Sequence, residues 1–175
     1  MAEMLTPVGQ KKMNWHVVLI YGVLWLMALM DLINGLKAVF GVEFATTPDG
    51  GFGIVRMYDG SNPQFDLYAQ HARIFILDGV FVLLMCMFIV YVRFQLAGMK
   101  RHAPTLLMVV FGLNIAESLV YMGAIYAAAP ELAELFQANT GRSLLVNNLG
   151  NIVVSAFVAG LTWIYYQRRK ELFTK

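Results

Sequence analysis

The chain is poor in what a soluble catalyst needs. Charged residues make up 14% of its 175 residues, where a soluble domain carries roughly a quarter. Cys86 is the one cysteine, which excludes an intrachain disulfide, a Cys-x-x-Cys redox pair, a thiolate metal cluster and quinone-coupled thiol chemistry. The sequence has no Gly-rich phosphate loop, no zinc-protease motif and no nucleophile beside a base. A net charge of +2 is too small to draw the chain to nucleic acid. His16, His71 and His102 fall at helix ends or in a loop, which argues against a bis-histidine haem in mid-span. His71 with Asp78 or Asp31 has the chemistry to ligate a metal, but no spacing demands it, so neither metal nor cofactor is expected.

What the sequence has is hydrophobicity, at 59% of residues. Ile74 to Val92 is a run of nineteen residues, apolar except for Asp78 and Gly79. At 1.5 Å per residue it reaches about 28 Å, the thickness of a bilayer's hydrocarbon core. Arg73 and Arg93 close its ends at head-group level. Three further runs complete four spans, over about 15–40, 73–97, 104–129 and 144–166, in a single transmembrane domain. The first follows Lys11 and Lys12 as a signal peptide would, but runs on to Phe40 without a small-x-small cleavage site, so it reads as a retained span. The fold class is therefore all-α, an integral membrane four-helix bundle.

The loop 41–72 is rich in turn residues, among them Pro48, Gly50, Gly51, Gly60 and Pro63, and leaves Phe52 to Tyr58 as a short strand or nothing regular. Asn62 as N-cap and Pro63 at N1 start the second helix early, carrying it through Phe65, Tyr68 and His71 before Arg73. Pro130 opens an amphipathic stretch that places Leu132, Leu135 and Phe136 on one side, at the surface. Lys11, Lys12, Arg93, Lys100, Arg101, Arg168, Arg169, Lys170 and Lys175 gather on one side of the membrane. The positive-inside rule then puts both termini in the cytoplasm of a multi-pass plasma-membrane protein.

Counting 1.5 Å per residue from the cytoplasmic face puts Asp31 at about 21 Å, Glu117 at about 18 Å, Asp78 at about 24 Å and Asn151 at about 20 Å. With Asn34, Lys37, Asn114 and Asn147 they make a polar layer in the outer half of the domain. Asn114, Glu117 and Tyr121 share one helix face, and Asn147, Asn151 and Ser155 another. A charge facing lipid at that depth costs a few kcal/mol, so these groups should face one another or a pocket open to the outside.

Two readings follow. In one, the acids and amides are polar glue of a non-enzymatic accessory or structural component, alone or in a homo-oligomer or larger membrane complex. In the other, they form the outward-facing carboxylate site of a small oligomeric ion-coupled or solute transporter. Neither is an enzyme. Small residues four apart on the fourth helix, Ser155 with Ala159 and Ala156 with Gly160, suit close helix packing. Met85 and Met87 read as core filler rather than copper ligands.

Three segments carry a resemblance: Asn34-Gly35-Leu36, the run from Tyr91 to Gly98, and the run from Tyr165 to Phe173. Together they resemble small uncharacterised four-helix membrane proteins of Gram-positive bacteria. The resemblance implies the same topology and supplies no activity and no functional residue.

Overall fold

The computed structural model describes residues 14–46, 50–60 and 65–173. Helix α1 runs Asn14–Phe40 and contains one widened π turn, Leu19–Val23. Strands β1 (Val42–Thr46) and β2 (Phe52–Arg56) follow, then a short helix α2 (Asp66–Gln70). Helices α3 (Ala72–Ala97), α4 (Ala103–Ala128), α5 (Pro130–Thr140) and α6 (Leu144–Gln167) complete the fold, with a last 3-10 turn at Lys170–Leu172. The described residues are mostly helical, and α1, α3, α4 and α6 are each long and apolar enough to cross a membrane.

Local chemistry sets the ends of these elements. Gly41 takes φ 61°, a left-handed conformation suited to glycine, and its N–H donates to the Lys37 carbonyl to close α1. The Tyr58 ring occupies the space that a side chain at Gly41 would need. Gly141, at φ 69°, ends α5 in the same way. Pro104 and Pro130 stand in the first turns of α4 and α5, where a missing N–H costs nothing. Ser143 caps α6, its Oγ accepting from the Val146 N–H at 3.2 Å.

The loop after α1 holds more order than its sequence suggests. Of the two expectations for Phe52 to Tyr58, a short strand or nothing regular, the strand is found over Phe52–Arg56, and it pairs antiparallel with Val42–Thr46, Phe44 opposite Ile54. Val42 to Thr46 alternates too weakly to stand out as a strand, and pairing is what organises it. The second helix is not continuous through His71 either. α2 stops at Gln70, His71 has φ −108° and ψ 21°, and α3 starts afresh at Ala72. The expected cap at Asn62 and Pro63 lies outside the described residues.

Long helices adjacent in sequence pack against each other: α1 on α3, α3 on α4, α4 on α6. The α1–α3 pair is antiparallel, with Ala28 facing Cys86 while Gly35 faces Gly79. The main core, including Leu24, Ile89, Val92, Leu107 and Val110, fills the half of the molecule nearest Asn14. There α1 meets α6 through side chains. The Tyr166 hydroxyl lies 2.9 Å from His16 Nδ1, and Phe173 folds back edge-on to both rings. At the opposite end α5 packs Leu132 and Ala133 on Ile125, Ala129 and Leu144.

Gly35 and Gly79 form the tightest crossing. A Cβ on Gly79 would sit 2.7 Å from Ala38 Cβ and 3.0 Å from the Gly35 carbonyl oxygen and the Val39 nitrogen. Gly79→Ala should therefore lower the thermal midpoint in detergent by the equivalent of about 1–3 kcal/mol, since backbone must move. Gly112, with nothing within 4 Å of its Cβ position, is the control. Gly112→Ala should leave the midpoint unchanged or raise it.

Candidate functional site

The α1–α3 crossing sets the acids. Asp31 precedes Gly35 by one turn, and Asp78 directly precedes Gly79, so in the antiparallel pair the crossing sets Asp31 about 7 Å along the axis from Asp78, on the side nearer Asn14. Glu117 on α4 completes the group. Its carboxyl adjoins that of Asp78, and the Ser118 hydroxyl donates to Glu117 Oε2 at 3.3 Å. Asp31 lies within reach of the charge on Glu117 and of the Cys86 thiol. Among the described residues, Asp31 Oδ2 is buried without a hydrogen-bond partner. Cys86 itself donates to the Ala28 carbonyl at 3.2 Å, a local tie between α1 and α3.

Aromatic rings cover the acids from the hairpin end. Tyr58 stacks on Phe75 at 6.4 Å, Tyr68 lies 5.2 Å from Phe75, and Phe75 meets Tyr121 edge-on at 6.4 Å. The Tyr58 hydroxyl donates to the Ala38 carbonyl at 2.7 Å. Burial pushes the Tyr58 phenol up to about 12, and the negative charge of Asp78 adds to the effect. Tyr68 is raised as well, by burial and then by Glu43.

The way in is from the side. A groove of about 340 Å³ runs between α3 and α4, with Asp78, Glu117 and Tyr121 among its lining residues and Leu77, Phe81 and Val120 among its apolar walls. Leu77 and Val120 are each 71% exposed, so the mouth lies on the outer surface of the helix pair rather than at the hairpin end.

Of the residues expected to form one polar layer, the structure brings together Asp31, Asp78 and Glu117. Asn114 is half-buried one turn before Glu117. Lys37 is drawn away from the acids and pairs with Glu43 at the start of β1. Asn34, Asn147 and Asn151 are exposed. The fourth helix turns a different face inward from the one expected. Its seam against α4 runs through Leu144, Asn148, Ser155, Thr162 and Tyr166, so Asn148 rather than Asn147 and Asn151 points into the protein, its Nδ2 buried without a partner among the described residues. No group of three His, Cys, Asp or Glu among the described residues is placed to hold a metal ion.

Sequence reasoning missed Tyr58, Phe75 and the Cys86 tie. A signal existed for one of them: Phe75 lies one turn before Asp78, as Tyr121 lies one turn after Glu117. Tyr58 reaches the site only because the hairpin folds back, and no local pattern encodes that. No family model, curated protein or solved structure matches the chain, so the site is read from its own geometry.

A phenol whose folded value is raised contributes stability that is complete below its unfolded value near 10 and is lost as pH climbs to about 12. Tyr58→Phe should therefore lessen the fall in thermal midpoint between those values and remove one phenol titrating near 12 from the tyrosinate absorbance curve. At neutral pH it should cost about 1 kcal/mol for the bond to Ala38.

Proposed function

We propose that the chain is a small plasma-membrane protein that crosses the bilayer four times with both ends in the cytoplasm, and that it binds a ligand at its buried carboxyls without catalysing a reaction. The observation that carries this reading is the Asp78–Glu117 carboxyl pair lining an open groove. Acids that served only as glue would be expected to meet the neighbouring amides and lysine. Here Lys37 and three of the asparagines turn elsewhere, and two acids line a space of about 340 Å³.

Charge supports the orientation. Arg93, Lys100, Arg101, Arg168, Arg169 and Lys170 lie at the end holding Asn14 and Phe173, whereas Glu43, Asp59, Asp66, Glu131 and Glu134 lie at the hairpin end. Arg93 sits among Tyr21, Trp25 and Phe94, with its Cζ 4.8–5.7 Å from their ring centres, a setting suited to the membrane interface. At the other end Phe40, Phe44, Phe52 and Ile54 are exposed, an apolar face fit to rest on lipid. A second reading, an accessory component whose acids only fix helix register, draws on the same meeting of carboxyls from α3 and α4.

Two experiments test this. With Cys86→Ser as background, Thr140→Cys should react with a membrane-impermeant maleimide on intact cells, and Lys170→Cys only after permeabilisation. The reverse pattern would overturn the orientation, and labelling of both on intact cells the four crossings. For the site, infrared pH-difference spectra of the protein in lipid nanodiscs should show a protonated-carboxyl band that Glu117→Gln removes without loss of folding, because the amide still supplies a donor. Carboxyls that ignore bulk pH favour the accessory reading.

A further inference from the structure

The groove between α3 and α4 joins two properties rarely found together at membrane depth. Its mouth and walls are apolar, from Leu77 and Val120 at the rim to Phe81 and Leu113 further in, and its polar end holds two carboxyls. Among the described residues no lysine or arginine lines it, and the nearest candidate, Lys37, is engaged by Glu43. Two adjacent carboxyls with no basic side chain beside them can hold charge in a medium of low dielectric only if a cation answers it. An acyl chain alone would fill the walls and leave the acids unanswered. An inorganic cation would answer the acids but has no route through a mouth of leucine and valine.

From these constraints we infer that the groove takes a lipophilic monoamine, protonated and entering from the lipid side, with its ammonium on the Asp78–Glu117 pair and its apolar body between α3 and α4. This rests on the carboxyl-site reading above and adds the class of ligand. The volume of about 340 Å³ lies at the small end of small-molecule sites. Tyr121 and Phe81, both lining the groove, offer ring faces that attract a cation as well as an apolar body.

The test uses the whole protein in phosphatidylcholine nanodiscs and a tritiated naphthylethyl dimethylamine, compared with its uncharged carbon isostere, isopentylnaphthalene. The amine should bind saturably at one per chain and at least about tenfold more tightly than the isostere, a preference on the scale of a single charge pair. The double variant Asp78→Asn, Glu117→Gln should abolish that preference. Val120→Trp, at a rim position with no packing to lose, should block uptake while leaving the thermal midpoint unchanged. Equal binding of amine and isostere by the unsubstituted protein, a preference for the amine that survives the double variant, or amine binding that survives Val120→Trp, would overturn the inference. Absence of saturable amine binding alongside an intact pH-responsive carboxyl band would overturn the amine and leave the carboxyl site standing. Absence of both would remove the site as well.

Discussion

The fold depends on two glycines meeting. Where Gly35 crosses Gly79, backbone lies against backbone, and each would-be Cβ falls within about 3 Å of a main-chain atom of the other helix. Helices without a hydrophobic drive to associate rely on such close approach for dispersion contacts. The crossing lies between the well-packed half of the molecule, around Ile89 and Leu107, and the half that holds the hairpin and α5. It also fixes the height at which Asp31 and Asp78 stand, because each acid is tied by helix geometry to its glycine.

The acid group is therefore a product of packing rather than of attraction. Like charges gain nothing by being placed together, and the arrangement holds because apolar contacts and the Cys86 and Tyr58 bonds to main-chain carbonyls set the helices first. The hairpin contributes in two ways. It brings Tyr58 over α3, and it removes Lys37 by offering Glu43 as a partner. A lysine free to bend inward would neutralise the acids and leave a conventional buried ion pair. With that lysine held outside, the carboxyls at the groove have no basic side chain among the residues lining it.

Much of this was legible in the residues. Runs such as Ile74 to Val92 state their own length, and the four long helices follow from it. The neighbouring heights of Asp31, Asp78 and Glu117 follow, to within about a turn and a half, from counting residues, because rise per residue hardly varies in a helix. Counting gives height but not azimuth, and azimuth decides that Asn34, Asn147 and Asn151 are exposed. On α6 the asparagines at 147, 148 and 151 compete for the inward face, and the choice of Asn148 depends on how Leu144 and Thr162 seat against α4. The hairpin was half legible. Phe52 to Arg56 has strand character, while its partner Val42–Thr46 acquires it by pairing. The direction of the groove, sideways between α3 and α4, depends on α5 and four aromatic rings closing the other exit, which no single segment encodes.

The widened turn at Leu19–Val23 has a geometric effect along α1. His16, Ile20, Leu24 and Ala28 are all buried and spaced by fours, and in a regular α-helix each such step drifts by about 40° around the axis. Left alone, that stripe would wind away from α3 before it reached Asp31 and Gly35. One loose coil of backbone takes back part of the rotation, so a single rod can hold the tyrosine of α6 at one end and the glycine of α3 at the other.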